Sequence, residues 1–583
     1  MCGIIGYKGS ENASPIIING LKRLEYRGYD SWGVAIKNDK IEVLKKVGKI
    51  SKFSEKIPES KIAVAHTRWG THGKVTEANS HPHTGCKGKI AVVHNGIIEN
   101  YQELKKELEK KGHIFKSETD SEVIPHLIEE YRGPNNFLEA AMLALRQLEG
   151  NYAVVIIEEG SDTMIGARNG SPLVVGIKGK SWFMASDVPA FLEHTNQVVF
   201  LDDGEMAVAG KELNFFEIKS GEQLKKESSK VNLDITQAEK GKYPYFFIKE
   251  IMEQGESLRR TLNQDRKLLL KAAEAINKSK SITVVACGTA YNASLIGSYF
   301  LREIADKKAD VILGSEFDSM LKFIDKESLV IAVSQSGETA DVLGPIKLAK
   351  NKGATIISLV NVQGSSLYRI SDIALPLYAG PEIAVASTKA FTSQGILMAL
   401  IAFACKGKFE EGKKLLEDTA RKIKAMLGKR TDQETRELAE IICKKDIFCI
   451  GRGSNFPVAL EAALKIKEVT CLHAEGLAGG ELKHHTLALI EEGTPCIVFF
   501  SNDKQKKDML SNAAEVKARG GFMVGIGPER HEIFDYFITV PEAGIISPLI
   551  NMIPAQLLTY HLGIKLGCEI DYCKGLAKSV TVK

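Results

Sequence analysis

ITVVACGTAYNAS (residues 282–294) and IFCIGRGSNFPVA (residues 447–459) decide how the second half of this chain is read. Each is an apolar run that enters a turn of small residues and then a helix-forming segment. Three more pairs follow in the same order: LVIAVSQSG with PCIVFFSND, ATIISLVN with GFMVGIGP, and IALPL with FITVP. A fixed order of similar segments marks an internal repeat. Strands this uniformly apolar, separated by helical stretches, belong to parallel sheets covered on both faces. The expectation is two successive doubly wound α/β domains, with ligands beyond the carboxyl ends of the strands. Their bounds are read as 275–425 and 435–567, followed by a tail at 568–583.

The first part, 1–238, has a different pattern. Short β runs (CGIIGYKG, IAVAHTRW, KIAVVHNGII, YAVVIIEEG, PLVVGIKG, QVVFLDDG) alternate with amphipathic stretches such as NYQELKKELEKKGH and NNFLEAAMLALRQL. That predicts an α+β domain of layered antiparallel sheets with helices. The polar stretch SGEQLKKESSKVNLDITQAEKGKYP lacks apolar periodicity and ends in proline, as a linker does. Residues 239–274 complete the linker and a helical lead-in.

Composition excludes several function classes. At 583 residues the chain exceeds what one core supports. Lys+Arg total 77 against Asp+Glu 73, and lysine runs such as KKELEKK are mixed with glutamate, so no basic stripe for nucleic acid is present. The 10 cysteines form no CxxC pair and fit no metal or disulfide framework, which suits a reducing cytoplasm. The longest apolar run, ILMALIAFAC, is about half of what a bilayer requires.

Chemistry-bearing residues cluster at turns. CGTAYN (287–292) and GRGSN (451–455) offer backbone N–H groups at helix starts, an anion-binding geometry. SQSGET adds the hydroxyls of Ser334, Ser336 and Thr339 and the amide of Gln335 behind the next strand, enough to ring a phosphate with neutral donors. A simple helix cap would need only one of them. In FPVALEAALKIKEVTCLHAEG, Glu461, Lys465 and Glu468 fall on one helix face. That is either a solvated salt-bridge row or the charged wall of a cleft. Lys483, His484 and His485 follow; a carboxylate and a histidine beside a sugar phosphate are the parts of a proton-transfer isomerase. Two adjacent histidines without a third ligand make a poor metal site, and no metal is expected.

At the N-terminus, a cysteine stands second. With Met1 removed, Cys2 carries a thiol and a free α-amine, nucleophile and base in one residue. The Asn95 side chain and the Gly96 N–H in HNGIIEN are the donor types of an oxyanion hole. Arg68 in HTRWGTHG can clamp a carboxylate, and Asp120 in SETDSEV can hold an α-ammonium. Together these describe a pocket for glutamine.

The order of CGI, LKRLEYRGYDS, HTRWGTHG, HPH, HNGIIEN, SETDSEV, GSPLVVG, ACGTAYN, SQSGETAD, ASTKAF, ALKIKE, HAEG, GELKH and LAKSVTV resembles the glucosamine-6-phosphate synthases, the isomerising glutamine:fructose-6-phosphate aminotransferases, over essentially the whole length. The resemblance implies an N-terminal-nucleophile glutaminase joined to two sugar isomerase (SIS) domains. It makes Cys2 the nucleophile, Asn95 and Gly96 the oxyanion hole, and Arg68, Thr71 and Asp120 the glutamine binders, with Trp69 an ammonia gate. It assigns sugar-phosphate binding to Ser334, Gln335, Ser336 and Thr339, with Thr289, Val385 and Ser387 nearby and Glu461 and Lys465 completing the helix face. It makes Glu468 the base between C1 and C2, His484 the ring-opening residue and Lys578 the Schiff-base amine. Glutamine and fructose 6-phosphate are the implied substrates, with no cofactor and a homodimer or larger homo-oligomer in which His484 reaches a neighbour's site. Three positions depart from the family: Ala290 for a serine, His485-Thr486 for Gly-Pro, and Trp32 for a small residue. VVIIEEGSDT faintly resembles a phosphoribosyl-pyrophosphate loop but lies in the first half, and no SGGxDS loop of asparagine synthesis is present. A sugar-phosphate sensor without chemistry is disfavoured by Glu468, His484 and Lys578.

Overall fold

A computed structural model describes residues 2–70, 73–231, 239–443 and 446–581. The chain forms two compact units, residues 1–238 with 577–583, and residues 239–576.

The first unit is built on two antiparallel sheets of eight and seven strands. Gly3–Lys8 is central in the larger one, paired with Ile62–Arg68 on one side and Ser181–Ala185 on the other. Its alternation sets the layers. Ile5 and Tyr7 pack with Ile16, Ile17 and Leu21 of the helix Ala13–Arg23, while Ile4 turns inward to meet Val93 and Val155 of the second sheet. The sheets approach closely at Gly6, where a Cβ would meet Met164 Sδ at 2.8 Å and Val155 Cγ1 at 2.9 Å. Beyond the second sheet lie the helices Tyr101–Lys110, Val123–Tyr131 and Phe137–Arg146, which bury Leu104, Ile124 and Ala141 against Val92 and Val154. The result is a four-layer α/β/β/α arrangement, the α+β class expected. Trp32, unusual by resemblance, fills the outer core beside Phe53 with ring centroids 4.8 Å apart. The polar stretch read as a linker contributes Gln223–Leu224 and Ser229–Lys230 to the sheet edges, so its first residues belong to this unit.

The second unit opens with the helices Phe246–Met252, Gln254–Leu262 and Arg266–Lys278 and continues into two five-stranded parallel sheets. Numbering strands by chain order, both sheets run 2-1-3-4-5. The four strand pairs read from the repeat are strands 1, 3, 4 and 5. The two second strands, Asp310–Leu313 and His473–Ala478, went unread because edge strands need no continuous apolar run. In this order the connections leave the first strand in opposite directions, opening a crevice between strands 1 and 3. The turns at 287–292 and 334–339 stand at that crevice. The helix Lys389–Cys405, which contains ILMALIAFAC, is buried at every residue but its last, and it abuts Ser547–Lys565 of the second repeat. At Gly395 a Cβ would meet Leu549 Cδ2 at 2.5 Å, so the two repeats share one core. Among the described residues, no helix is long and apolar enough to cross a membrane.

Candidate active site

In the first unit, Cys2 leads directly into the central strand. Thr67 Oγ1 accepts from the Gly3 N–H at 3.1 Å and Ser186 Oγ from the Ile4 N–H at 3.0 Å, fixing the strand's first residues. The Cys2 Sγ accepts from the Trp69 N–H at 3.3 Å, and its carbonyl accepts from Asn95 Nδ2 at 2.9 Å and Arg27 Nε at 3.4 Å. Burial pushes the thiol up, opposed by the Trp69 amide and the charges of Arg68 and Arg27. Asn95 therefore stands beside the nucleophile with a second N–H on the same nitrogen.

The direction of that amide is set by His66. Its Nε2 lies 3.0 Å from Asn95 Oδ1 and 2.9 Å from the His94 carbonyl oxygen. Two acceptors around one ring nitrogen require the proton there, so the imidazole donates to Oδ1 and Nδ2 is turned toward Cys2. Burial lowers the His66 pKa to about 3, which keeps the ring neutral. Gly96 sits at φ +133°, where a Cβ would come within 1.9 Å of the Asn151 carbonyl oxygen, so only glycine fits.

Arg68 is buried and donates to the carbonyls of Lys74 at 3.1 Å and Gly73 at 3.2 Å, clasping the loop that follows its strand. Asp120 is buried too, and its Oδ2 accepts from the Ile98 N–H at 2.8 Å. Thr71 lies outside the described residues. His66, Thr67, Arg27 and Asp187, which pairs with Arg27 at 2.9 Å, were not singled out from sequence; the motifs HTRWGTHG and LKRLEYRGYDS were the signal available for the first three, and none marked Asp187.

In the second unit the helix Phe456–Thr470 faces the first repeat. Thr289 Oγ1 donates to Glu461 Oε1 at 3.0 Å and accepts from Lys465 Nζ at 2.9 Å, while Asn292 Nδ2 donates to Glu461 Oε2 at 2.8 Å. Lys465 also pairs with Glu468. Glu461 and Lys465 are fully buried, so the row is not a solvated face. Burial raises Glu461 to about 7 despite Lys465. Burial also works against the Lys465 charge, but Glu468 and Glu461 outweigh it and raise its pKa.

Around the second turn, Ser334 Oγ accepts from the Gly337 N–H at 2.9 Å and Ser336 Oγ from the Glu338 N–H at 3.2 Å. Thr339 occupies the cap position of the helix Ala340–Asn351 without a side-chain capping bond, so a helix cap does not account for its hydroxyl. The Gln335 carbonyl accepts from Asn361 and Val362, which aligns the turn against the next strand's loop. The loop carrying Val385 and Ser387 is held from several sides. Ser387 Oγ donates to Glu382 Oε2 at 2.7 Å, the Val385 N–H donates to the Asp571 carbonyl at 3.0 Å, and the buried Glu250 Oε1 accepts from the Ile383 N–H at 2.5 Å. Glu250 and Glu382 are further residues that no motif marked, and Asn292 closes the CGTAYN turn without having been given a role.

Two residues stand apart from this network. His484 is exposed on the turn Gly479–His484, followed by His485, whose Nδ1 bonds Thr486 Oγ1 at 2.6 Å. Lys578 lies in the tail 577–583, which groups with the first unit.

Residues 66–193 match the glutamine amidotransferase domain family, and residues 275–404 and 440–565 match the SIS domain family. The chain is 44% identical, over 602 residues and the full length of both proteins, to glutamine–fructose-6-phosphate aminotransferase (isomerizing) of Thermococcus kodakarensis. It is 42% identical over 610 residues, again at full length, to the protein of that name from Clostridium tetani. Among solved structures, the C-terminal domain of glucosamine-fructose-6-phosphate aminotransferase from Francisella tularensis is similar at a TM-score of 0.52 and 33% identity, covering 57% of this chain and 99% of that one.

Proposed function

The chain belongs to the glutamine–fructose-6-phosphate aminotransferase (isomerizing) family, and from that premise we propose how its own residues divide the reaction. The enzyme converts fructose 6-phosphate and glutamine to glucosamine 6-phosphate and glutamate. Cys2, its α-amine freed by loss of Met1, attacks the glutamine carboxamide carbon; the C–N bond breaks, ammonia leaves, and water releases glutamate from the thioester. The Asn95 Nδ2 and the Gly96 N–H receive the oxyanion, Arg68 holds the substrate carboxylate with Thr71, Asp120 holds its ammonium, and Trp69 gates the ammonia.

In the second unit Ser334, Gln335, Ser336 and Thr339 bind the phosphate, with Thr289, Val385 and Ser387 lining the sugar. Lys578 forms an imine with the open ketose, His484 opens the ring, and Glu468 carries the proton from C1 to C2. The ammonia passes within the protein to C2. The observation that carries this reading is the buried row Glu461–Lys465–Glu468, tied through Thr289 to the turn that opens the first repeat. Lys465 holds Glu468 beside that turn, where a base for a phosphorylated sugar has to stand.

The proposal extends to a cytoplasmic homodimer or larger assembly. Ten free cysteines support the reducing compartment, and an exposed His484 supports service to a neighbouring copy. The test is product analysis with glutamine and a panel of ketose and aldose phosphates. Glucosamine 6-phosphate from fructose 6-phosphate alone is expected; amination of a different sugar, or release of ammonia without amino sugar, overturns it.

A further inference from the structure

Away from Cys2, the first unit gathers four potential metal ligands from three segments. Cys86 lies in the turn between His83–Thr84 and Ile90–Ile98, His113 follows the helix Tyr101–Lys110, and His126 and Glu129 stand one turn apart on Val123–Tyr131. Their donor atoms lie within 4.8 Å of one another. His113 Nδ1 and His126 Nδ1 are 3.1 Å apart, and Cys86 Sγ is 3.7 Å from the first and 3.5 Å from the second. Glu129 Oε2 is 3.8 Å from His113 Nδ1 and 3.9 Å from His126 Nδ1.

The spacings among the two nitrogens and the sulfur are those of a coordination tetrahedron, and the Glu129 oxygen stands a few tenths of an ångström outside the fourth corner. Zinc bonds of about 2.05 Å to nitrogen and about 2.3 Å to sulfur put neighbouring nitrogens about 3.3 Å apart and sulfur about 3.6 Å from nitrogen. The far ring nitrogens both face carboxylates, His113 Nε2 at 3.2 Å from Glu130 Oε2 and His126 Nε2 at 3.6 Å from Glu122 Oε1. At His113 the Glu130 carboxylate is within hydrogen-bond distance, draws the ring proton to that side and leaves the Nδ1 lone pair free for a metal. The two Nδ1 atoms, the sulfur and a carboxylate oxygen thus gather around one point. Glu129 is itself oriented, accepting from the Cys86 N–H at 2.7 Å and the Lys87 N–H at 2.9 Å, and Cys86 Sγ accepts from the Ile114 N–H at 3.3 Å.

We propose that Cys86, His113, His126 and Glu129 form a structural zinc site that ties the 85–88 turn and the 113–114 loop to the helix Val123–Tyr131. A thiolate and a carboxylate neutralise the dication, four protein ligands leave no open position for substrate, and the exposed side of Cys86 provides the entry path. The Cys86 thiol gives its proton to solvent as the metal binds. Residue spacing hid the site, because its ligands come from three separate segments and only His126 and Glu129 are close in sequence.

The test uses the full chain without a histidine tag, kept reduced and dialysed against metal-free buffer. Elemental analysis should find about one zinc per chain in the native protein and roughly tenfold less in Cys86→Ala and in His113→Ala. Cobalt offered to the metal-stripped protein should give tetrahedral visible bands and a sulfur charge-transfer band that Cys86→Ala lacks. A chelator should lower the melting temperature of the native chain and leave that of the two variants unmoved, while circular dichroism verifies that both fold. No uptake of zinc or cobalt by the native chain overturns the site, as does uptake that persists unchanged in Cys86→Ala.

Discussion

A neutral imidazole decides which end of Asn95 faces the nucleophile. Removing that donor in Asn95→Ala should lower the rate of glutamine hydrolysis by about 10²- to 10³-fold, read as glutamate release, with little change in glutamine KM. An unchanged rate would place the oxyanion elsewhere. His66 also makes the first unit sensitive to acid. Its pKa falls from an ordinary value of about 6.5 in the unfolded chain to about 3 in the fold, so the stability tied to the neutral ring is complete above about 6.5 and is lost as pH falls toward 3. Between pH 6.5 and 5 this amounts to about 2 kcal/mol. Urea unfolding of the first unit should show that loss, and His66→Gln, which keeps a donor for Asn95 but does not titrate, should flatten it. Cys2, Asn95 and Asp120 could be singled out from residue type and motif because their chemistry is intrinsic to the side chain. His66, Thr67 and Arg27 could not, since each acts only through a partner brought near by the sheets.

The helix Phe456–Thr470 carries its charges inward, and that has an energetic consequence. Lys465→Met would leave the Glu461 and Glu468 carboxylates without their cation, a loss of about 3 to 5 kcal/mol. Because burial already holds Glu461 near 7, above its unfolded range, its neutral form favours the fold at low pH and that contribution fades as pH rises through 7. The variant should therefore be less stable at pH 8 than at pH 6 in urea titrations of the second unit; equal midpoints would mean that Lys465 does not neutralise Glu461. The turn at 334–339 makes a separate claim. Ser336→Ala and Thr339→Ala should each raise the KM for fructose 6-phosphate by about 10- to 150-fold, the worth of a hydrogen bond to a charged oxygen, while glutamine hydrolysis without sugar is unaffected. Wild-type KM in both would move the phosphate away from this turn. Elements with a strong period or a continuous apolar run were legible in the sequence, including both repeats. The second strand of each repeat and the helix Ala13–Arg23 were not: those strands are short and mixed in polarity, and the helix is a brief amphipathic run beside a β pattern.

The chain divides into two units, and the two proposed chemistries fall one in each, save that Lys578 of the sugar chemistry lies on the tail that groups with the first. Cys2→Ala should abolish glutamine hydrolysis and leave isomerisation of fructose 6-phosphate, followed by product chromatography, within about twofold of the native rate, since sites that share no partners act independently. Persistent hydrolysis would make Cys2 structural. The architecture of the chain was readable because repetition and composition shift are properties of long segments. The clasp around Val385, made by Glu250, Glu382 and the carbonyl of Asp571, was not readable, because its members come from places far apart in sequence. The core shared by Lys389–Cys405 and Ser547–Lys565 bears on how the protein is made. The face of that first-repeat helix around Gly395 stays uncovered until its partner, about 140 residues downstream, has left the ribosome. At about 5 to 20 residues per second that is a wait of roughly 7 to 28 s with that apolar face open to solvent. Ribosome-bound chains truncated before Ser547 should accordingly be chaperone clients, and release of the complete chain should end that dependence.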